Sequence, residues 1–321
     1  MEGIGVEYGR IAGVERPVSR IFLGTANIPQ NTDANAWLSS ILETGVNALD
    51  TARAYGDAET VIGRWFAQCG TRDKVVLLSK CCHPFLTVRR VNVRAMKKDL
   101  ARSLEALQTD HIDVYLLHRD DPQIPVGELV EAFNELRAAG YIRVFGGSNW
   151  AAARLEAANE YAYKRGLTPF AVSSPSFGLA AGCPWRDCLS ISGRSGEAER
   201  DWYRETRLPV LAFSALGRGL FSGRVRSSDR ATARKYMDGA AHRGYATPDN
   251  FERLRRCEEL AEAKGATVPQ VALAWSFRQG LELFAVINTS NAKRMEDNAA
   301  ALSLELTERE CRYLDLLEDR P

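Results

Sequence analysis

The sequence lacks any run approaching the roughly 20 consecutive apolar residues that a membrane-spanning helix needs. It also lacks a charged start followed by an apolar stretch, so no secretion signal is read and a cytoplasmic location is expected. Charge of one sign is missing too, since 42 Lys and Arg stand against 41 Asp and Glu. No summed field therefore favours nucleic-acid phosphates or an anionic membrane, and neither is expected as a partner. Seven cysteines is an odd number, and none are in C-x-x-C spacing. Cys81 and Cys82 adjoin, Cys183 and Cys188 lie in a loop-like stretch, and in a reducing compartment all read as unpaired, with no metal site expected. Asn288-Thr289-Ser290 matches a glycosylation sequon, but without a secretion signal the match reads as accidental. G-x-G-x-x-G after an early strand, the mark of a doubly wound dinucleotide fold, is absent. Its nearest approach, Gly217, Gly219 and Gly223, has the wrong spacing and comes late.

What is present is an alternation. At 321 residues the chain suits either two ordinary domains or one large barrel. Short β-rich apolar runs are read at residues 19–24, 46–50, 75–80, 113–118, 142–148, 170–174, 209–214 and 283–287. Between them stand helical patterns such as 57–68, 91–107, 125–139 and 151–165, with apolar residues recurring at helical spacing. Strand followed by helix, eight times over, predicts an α/β fold of the (β/α)8 TIM-barrel type, with residues 1–321 forming a single domain. The opening segment, Tyr8-Gly9-Arg10 and Ile11 to Glu15, predicts a short N-terminal hairpin on the barrel floor, its glycines supplying the turn. Two segments break the rhythm, residues 178–208 and 215–244. Both follow predicted strands and so belong to the face where barrels build their sites.

Three successive apolar runs end on residues able to move or stabilise a proton: Asp50, Lys80 and His118. Neighbouring strand ends would bring them to one rim, and Tyr55, five residues beyond Asp50, would fold back over it. A tyrosine has an ordinary pKa near 10; an adjacent lysine cation is expected to lower it, with Asp50 holding the lysine charged. Singly, each residue has an ordinary structural use: Asp50 as a helix cap, Lys80 as a snorkelling strand end, His118 as a satisfied rim histidine.

Together these stretches resemble the aldo-keto reductase family, and the resemblance runs over nearly the whole chain. Asp50-Thr51-Ala52-Arg53-Ala54-Tyr55-Gly56-Asp57-Ala58-Glu59 is similar to the family's first signature. Lys80 falls on its lysine, and His118, in Leu116-Leu117-His118-Arg119-Asp120-Asp121-Pro122, falls on its histidine. The resemblance implies Tyr55 as the general acid of carbonyl reduction, Lys80 and Asp50 as its tuning pair, and His118 orienting the carbonyl oxygen.

It also implies a nicotinamide cofactor bound on the barrel face, NADP(H) favoured and NAD(H) allowed. Ser148 and Asn149 match the pair that holds the carboxamide, and Ser174 falls where the family has a longer glutamine. Phe213 falls where an aromatic ring stacks on the nicotinamide. Ser214, Leu216, Gly217 and Gly219 resemble the pyrophosphate loop, whose small residues admit backbone N–H groups. Gly24 and Thr25 after the first strand, and Thr289 and Ser290 after the eighth, complete the expected cofactor set. Arg294 matches the arginine for the adenosine 2′-phosphate, and Asn298 an adenine contact. Asn288 stands where a lysine is often found near that phosphate.

The implied substrate is a small carbonyl or alcohol. No long C-terminal loop of the kind that closes steroid and aldose reductase pockets is expected, and the pocket is expected to be open. Candidate walls are Phe85, Trp150, Trp185 and Trp202, with Arg119 among the polar contacts; aromatic faces beside charge suit a sugar or polyol. The alternative reading is a coenzyme-binding regulatory subunit resembling the potassium-channel β subunits. Members of that branch usually carry asparagine where this chain has His118.

Overall fold

In the computed structural model, which describes residues 6–28, 33–85 and 88–321, the alternation folds as eight parallel strands in a closed barrel. After a two-stranded hairpin, β1 (Tyr8–Gly9) and β2 (Val18–Ser19), the barrel strands are β3 (Ile21–Gly24), β4 (Ala48–Asp50), β5 (Val76–Cys81), β6 (Ile112–Leu117), β7 (Ile142–Ser148), β8 (Val172–Ser174), β9 (Val210–Ala212) and β10 (Leu283–Ile287). They neighbour one another in that order, with β10 returning to β3. Nearly every strand residue is buried. Parallel strands are covered on both faces, which is why their sequence is an unbroken apolar run and does not alternate. Closure leaves no strand edge to protect.

The chain forms two compact units, one of residues 8–174 with 288–292, the other including residues 175–287 and 293–321. The first carries β1 to β8 and helices α1 (Ala34–Glu43), α2 (Ala58–Cys69), α3 (Val93–Leu107), α4 (Val126–Ala138) and α5 (Ala152–Arg165). Each helix stops for a local reason. Gly70 and Gly166, both left-handed, end α2 and α5, where glycine adopts positive φ without steric penalty. Asn92 starts α3 by accepting the amide of Ala95. A phenylalanine cluster fills the space between α4 and its strands, with Phe133 stacked on Phe145 at 4.8 Å and Phe170 edge-on to both.

The hairpin differs from the expectation in one respect. Ile11 to Glu15 is the turn itself, closed by Val14 N donating to Ile11 O with Gly13 at φ 90°. The return strand is Val18–Ser19, pairing Tyr8 with Ser19. It is tied to the N-terminal end of β4, because Ser19 N donates to Asn47 Oδ1 and Asn47 N donates to Ser19 Oγ.

The second unit pairs β9 with β10. It carries α6 (Glu197–Thr206), α7 (Ala231–Tyr236), α8 (Gly239–Tyr245), α9 (Pro248–Ala263), α10 (Val268–Phe277), α11 (Ala292–Ala299) and α12 (Glu308–Leu314). One buried side chain on α9 joins the first rhythm-breaking segment to Tyr245, just after the second. Asn250 accepts from Ala181 N and donates to Ala181 O and Tyr245 O. Thr307 and Glu310 form a reciprocal capping box at the start of α12. Among the described residues, no helix is long and apolar enough to cross a membrane.

Candidate active site

Strand register brings the proton-handling residues together. Asp50 of β4 pairs with Leu78 of β5, so Lys80, two residues on, projects to the same side. Lys80 pairs with Leu116 of β6, and His118 again lies two residues on. The step repeats because barrel strands are staggered. Beyond Asp50, the chain stays against β5: Thr51 N donates to Leu78 O, Arg53 N to Lys80 O, and Tyr55 N to Ala52 O. Tyr55 is thereby held on a tight turn just before α2.

Lys80 Nζ is the hub. It donates to Asp50 Oδ2 at 2.6 Å, to Thr51 O at 3.1 Å and to the Tyr55 hydroxyl oxygen at 3.4 Å. Three acceptors match the three protons of an ammonium. Both members of the ion pair are buried, Lys80 at 2% and Asp50 at 4% exposed. Burial alone would lower the lysine, but the Asp50 charge and the Tyr55 oxygen carry it above its ordinary value.

Tyr55 corrects the sequence expectation. Its pKa is raised, not lowered. Burying a phenolate is the largest effect; the Lys80 cation pulls the other way, and the Asp50 carboxylate behind it offsets part of that pull. The phenol keeps its proton through neutral pH. His118 is driven the opposite way, well below its ordinary value, by burial first and then by the nearby charges of Lys80 and Arg119 and by His83, and is a neutral imidazole. Its ring stands edge-on to Tyr55 at 5.7 Å.

Two supports escaped the sequence reading. Glu59, 1% exposed, accepts from Ser79 Oγ and from Arg53 Nη1, each at 2.6 Å, strapping the Tyr55 turn to the strand that carries Lys80. Its place in the signature was visible, but nothing in the sequence said which groups it would face. Asn149, left-handed at φ 64°, donates one amide proton to His118 O and the other to Ser148 Oγ. Its backbone N–H and the Ser148 hydroxyl both donate to Ser174 O. The three residues expected to meet a carboxamide thus lock the ends of β6, β7 and β8.

Other expected cofactor residues of this unit have structural engagements. Thr25 is buried, its Oγ1 and N both donating to Asp50 O. Asn288 donates to Gly24 O and Asn27 O, so it fastens the end of β3. Thr289 O accepts from Trp37 Nε1, and Ser290 is exposed.

In the second unit, Phe213 is half-buried, its backbone accepting from Phe177 N and donating to Pro175 O. Ser214, Gly217, Arg218 and Gly219 all have positive φ, at 61, 57, 48 and 110°. Successive left-handed residues curve a loop so that amides face a common concavity, the form that receives anions. The amides of Gly217 and Gly219 close turns onto Ser214 O and Leu216 O, and among the described residues those of Ser214, Ala215 and Leu216 are not donors in these turns, so they are the amides an anion could meet. Arg294 is exposed near the start of α11, and Asn298, one turn on, is buried.

The substrate candidates divide. Trp150 is fully buried between Phe170, at 5.2 Å, and the Arg154 guanidinium, at 5.1 Å, and is not an open pocket wall. Gly147 makes room for it: a Cβ there would lie 2.5 Å from the indole. Trp202 lies midway along α6, edge-on to Tyr203, on a helix that leads back toward the start of β9 and away from the strand C-terminal ends. Phe85 is 70% and Trp185 36% exposed; the Trp185 ring is covered on one face by Arg218 at 4.7 Å. Arg119 Nη1 donates to His118 O, and its charge reaches both Tyr55 and His118. Burial thus takes Trp150 out of the expected aromatic wall.

Comparison with known proteins agrees with this geometry. Residues 20–319 match the Aldo/keto reductase family. The oxidoreductase YrpG of Bacillus subtilis is 28% identical over 97% of this chain and 95% of its own length. The aldo-keto reductase str7 of Strobilurus tenacellus is 30% identical over 83% of this chain and 75% of its own. The aldo-keto reductase yakc [NADP(+)] of Schizosaccharomyces pombe is 27% identical over 87% and 81%.

Proposed function

The chain belongs to the aldo-keto reductase family of oxidoreductases, and we propose that it interconverts a small aldehyde or ketone and its alcohol with NADP(H), Tyr55 being the proton donor. The observation that carries this is the Lys80 ammonium, hydrogen-bonded at once to Asp50 and to the Tyr55 oxygen. A nicotinamide cofactor, when bound, supplies or accepts the hydride. Ser148, Asn149 and Ser174 are the residues that would hold its carboxamide, Phe213 its ring, and Ser214, Leu216, Gly217 and Gly219 its pyrophosphate. Gly24, Thr25, Thr289 and Ser290 would complete the frame around it, mostly through the backbone contacts they support. Arg294 would meet a 2′-phosphate and Asn298 the adenine, which favours NADP over NAD.

In reduction, Tyr55 delivers its proton to the oxygen that gains negative charge as the carbonyl carbon is reduced. Lys80, fixed by Asp50, stabilises the phenolate left behind, and Thr51 O keeps the ammonium from turning away. Neutral His118 donates a hydrogen bond to the same oxygen and fixes which face of the carbonyl is presented. Burial serves the donor role, because it keeps Tyr55 protonated at neutral pH while the adjacent cation favours the charge that forms on transfer. In oxidation the same groups run in reverse.

The test is consumption of NADPH with para-nitrobenzaldehyde. Tyr55→Phe keeps the ring and removes the proton, and is expected to lower kcat by about a thousandfold with the NADPH dissociation constant unchanged. A Tyr55→Phe enzyme that keeps wild-type kcat would refute the assignment.

A further inference from the structure

The inference concerns His118 and rests on the reading above that this residue orients the substrate oxygen. A histidine in such a role ordinarily fixes its ring by bonding the second nitrogen to a carboxylate or carbonyl. Here Nδ1 of His118 is buried with no hydrogen-bond partner among the described residues. Ring contacts stand in its place. Tyr55 packs edge-on at 5.7 Å with an interplanar angle of 81°, and His83 packs edge-on at 4.6 Å and 74°.

The position of His83 is itself built. Strand β5 ends at Cys81, and Cys82 turns the chain in the left-handed region at φ 59°, a conformation costing a non-glycine residue about 1 kcal/mol. Asp99 of α3, 2% exposed, holds that turn by accepting Cys82 N at 2.9 Å. Arg90 bridges the two: its Nη2 donates to Asp99 Oδ1 at 2.7 Å and its Nη1 to His83 O at 3.3 Å. His83 Nδ1 lies 2.8 Å from Pro84 O. A carbonyl only accepts, so Nδ1 carries a proton and the ring is fixed in rotation. A strained turn, a buried carboxylate and a guanidinium thus combine to present one imidazole edge to another.

We infer that His83 is a positioning residue for His118: its edge-on contact, together with that of Tyr55, holds the His118 imidazole with Nε2 toward the substrate oxygen. The arrangement arises in the Lys80-Cys81-Cys82-His83-Pro84 stretch, where the strand bearing the tuning lysine continues into a second histidine. Edge-to-face packing needs an aromatic ring and no ionisable group. Phenylalanine is therefore the conservative replacement and alanine the disruptive one.

Two readouts test the inference on the full-length protein. With nitrogen-labelled histidine, long-range proton–nitrogen spectra of the wild type are expected to show one sharp neutral pattern for His118. His83→Ala should broaden or split it, and His83→Phe should restore it. With NADPH and para-nitrobenzaldehyde, His83→Ala should lower kcat/KM by about 10- to 100-fold, through kcat and with NADPH affinity unchanged, while His83→Phe stays within about threefold of wild type. In a His118→Ala background, His83→Ala should cause no further loss. An unaltered His118 pattern in His83→Ala, or equal losses in both backgrounds, would overturn the inference. Failure of His118→Ala to affect turnover would instead refute the orienting role of His118, and the spectra would still report on its positioning.

Discussion

In the unit of residues 8–174, Lys80 and Asp50 form a buried ion pair at the strand ends, and two buried carboxylates beside them, Glu59 and Asp99, are met by the half-buried guanidinium groups of Arg53 and Arg90. In the unit containing residues 175–287, four cations of the long segments lie against aromatic rings: Arg218, which also pairs with Asp238, on Trp185, Arg224 and Lys235 on Tyr236, and Arg230 on Phe251. A buried ion pair has no low-energy alternative, because either partner alone is an uncompensated charge. A surface cation–π contact is worth roughly 0.5–1 kcal/mol and exchanges readily with water. The first arrangement suits chemistry that needs fixed atoms. The second leaves a loop freer to rearrange.

The comparison breaks if both units respond alike to substitution. The largest effect is expected at the buried pair. Lys80→Met leaves the Asp50 charge stranded and should cost about 3–5 kcal/mol of stability, read as a fall in thermal midpoint, besides removing most turnover. Combining it with Asp50→Asn should recover much of the stability and none of the activity, which separates the structural use of the pair from the chemical one. Arg294→Ala should do less: unchanged kcat and thermal midpoint, with the ratio of NADPH to NADH affinity reduced by about tenfold. An unchanged ratio would remove Arg294 from the 2′-phosphate.

The fold was legible because its strands are parallel and buried on both faces, so Ile21–Leu23 and Leu283–Ile287 read as strands without any pattern of alternation. Asp50, Lys80 and His118 were legible for a related reason. A polar group closing a fully apolar run must be satisfied by something, and three in succession narrow the choice. What stayed hidden depends on register and depth. The lock formed by Asn149, Ser148 and Ser174 requires knowing which carbonyls of neighbouring strands come opposite one another. Tyr55 was expected to have a lowered pKa because Lys80 was foreseeable and the desolvation of its phenol was not. Trp150 looked like a pocket wall, yet Gly147 opens a space beneath it. Nothing in the spacing of His83 and His118 announces their contact, which arises from the left-handed turn at Cys82.

Tyr55 is half-buried, and under the proposed function its phenol stays protonated until the carbonyl oxygen takes the proton. The direct measurement is the pH dependence of kcat/KM for aldehyde reduction in wild type and Tyr55→Phe. Because the Tyr55 pKa is raised above its ordinary value of 10.0 and His118 is already neutral, wild-type reduction should stay level from about pH 6.5 to about pH 10 and fall only beyond it. Tyr55→Phe should lose both the rate and the alkaline fall. A wild-type decline centred near neutral pH, or the same alkaline limb in Tyr55→Phe, would contradict the account.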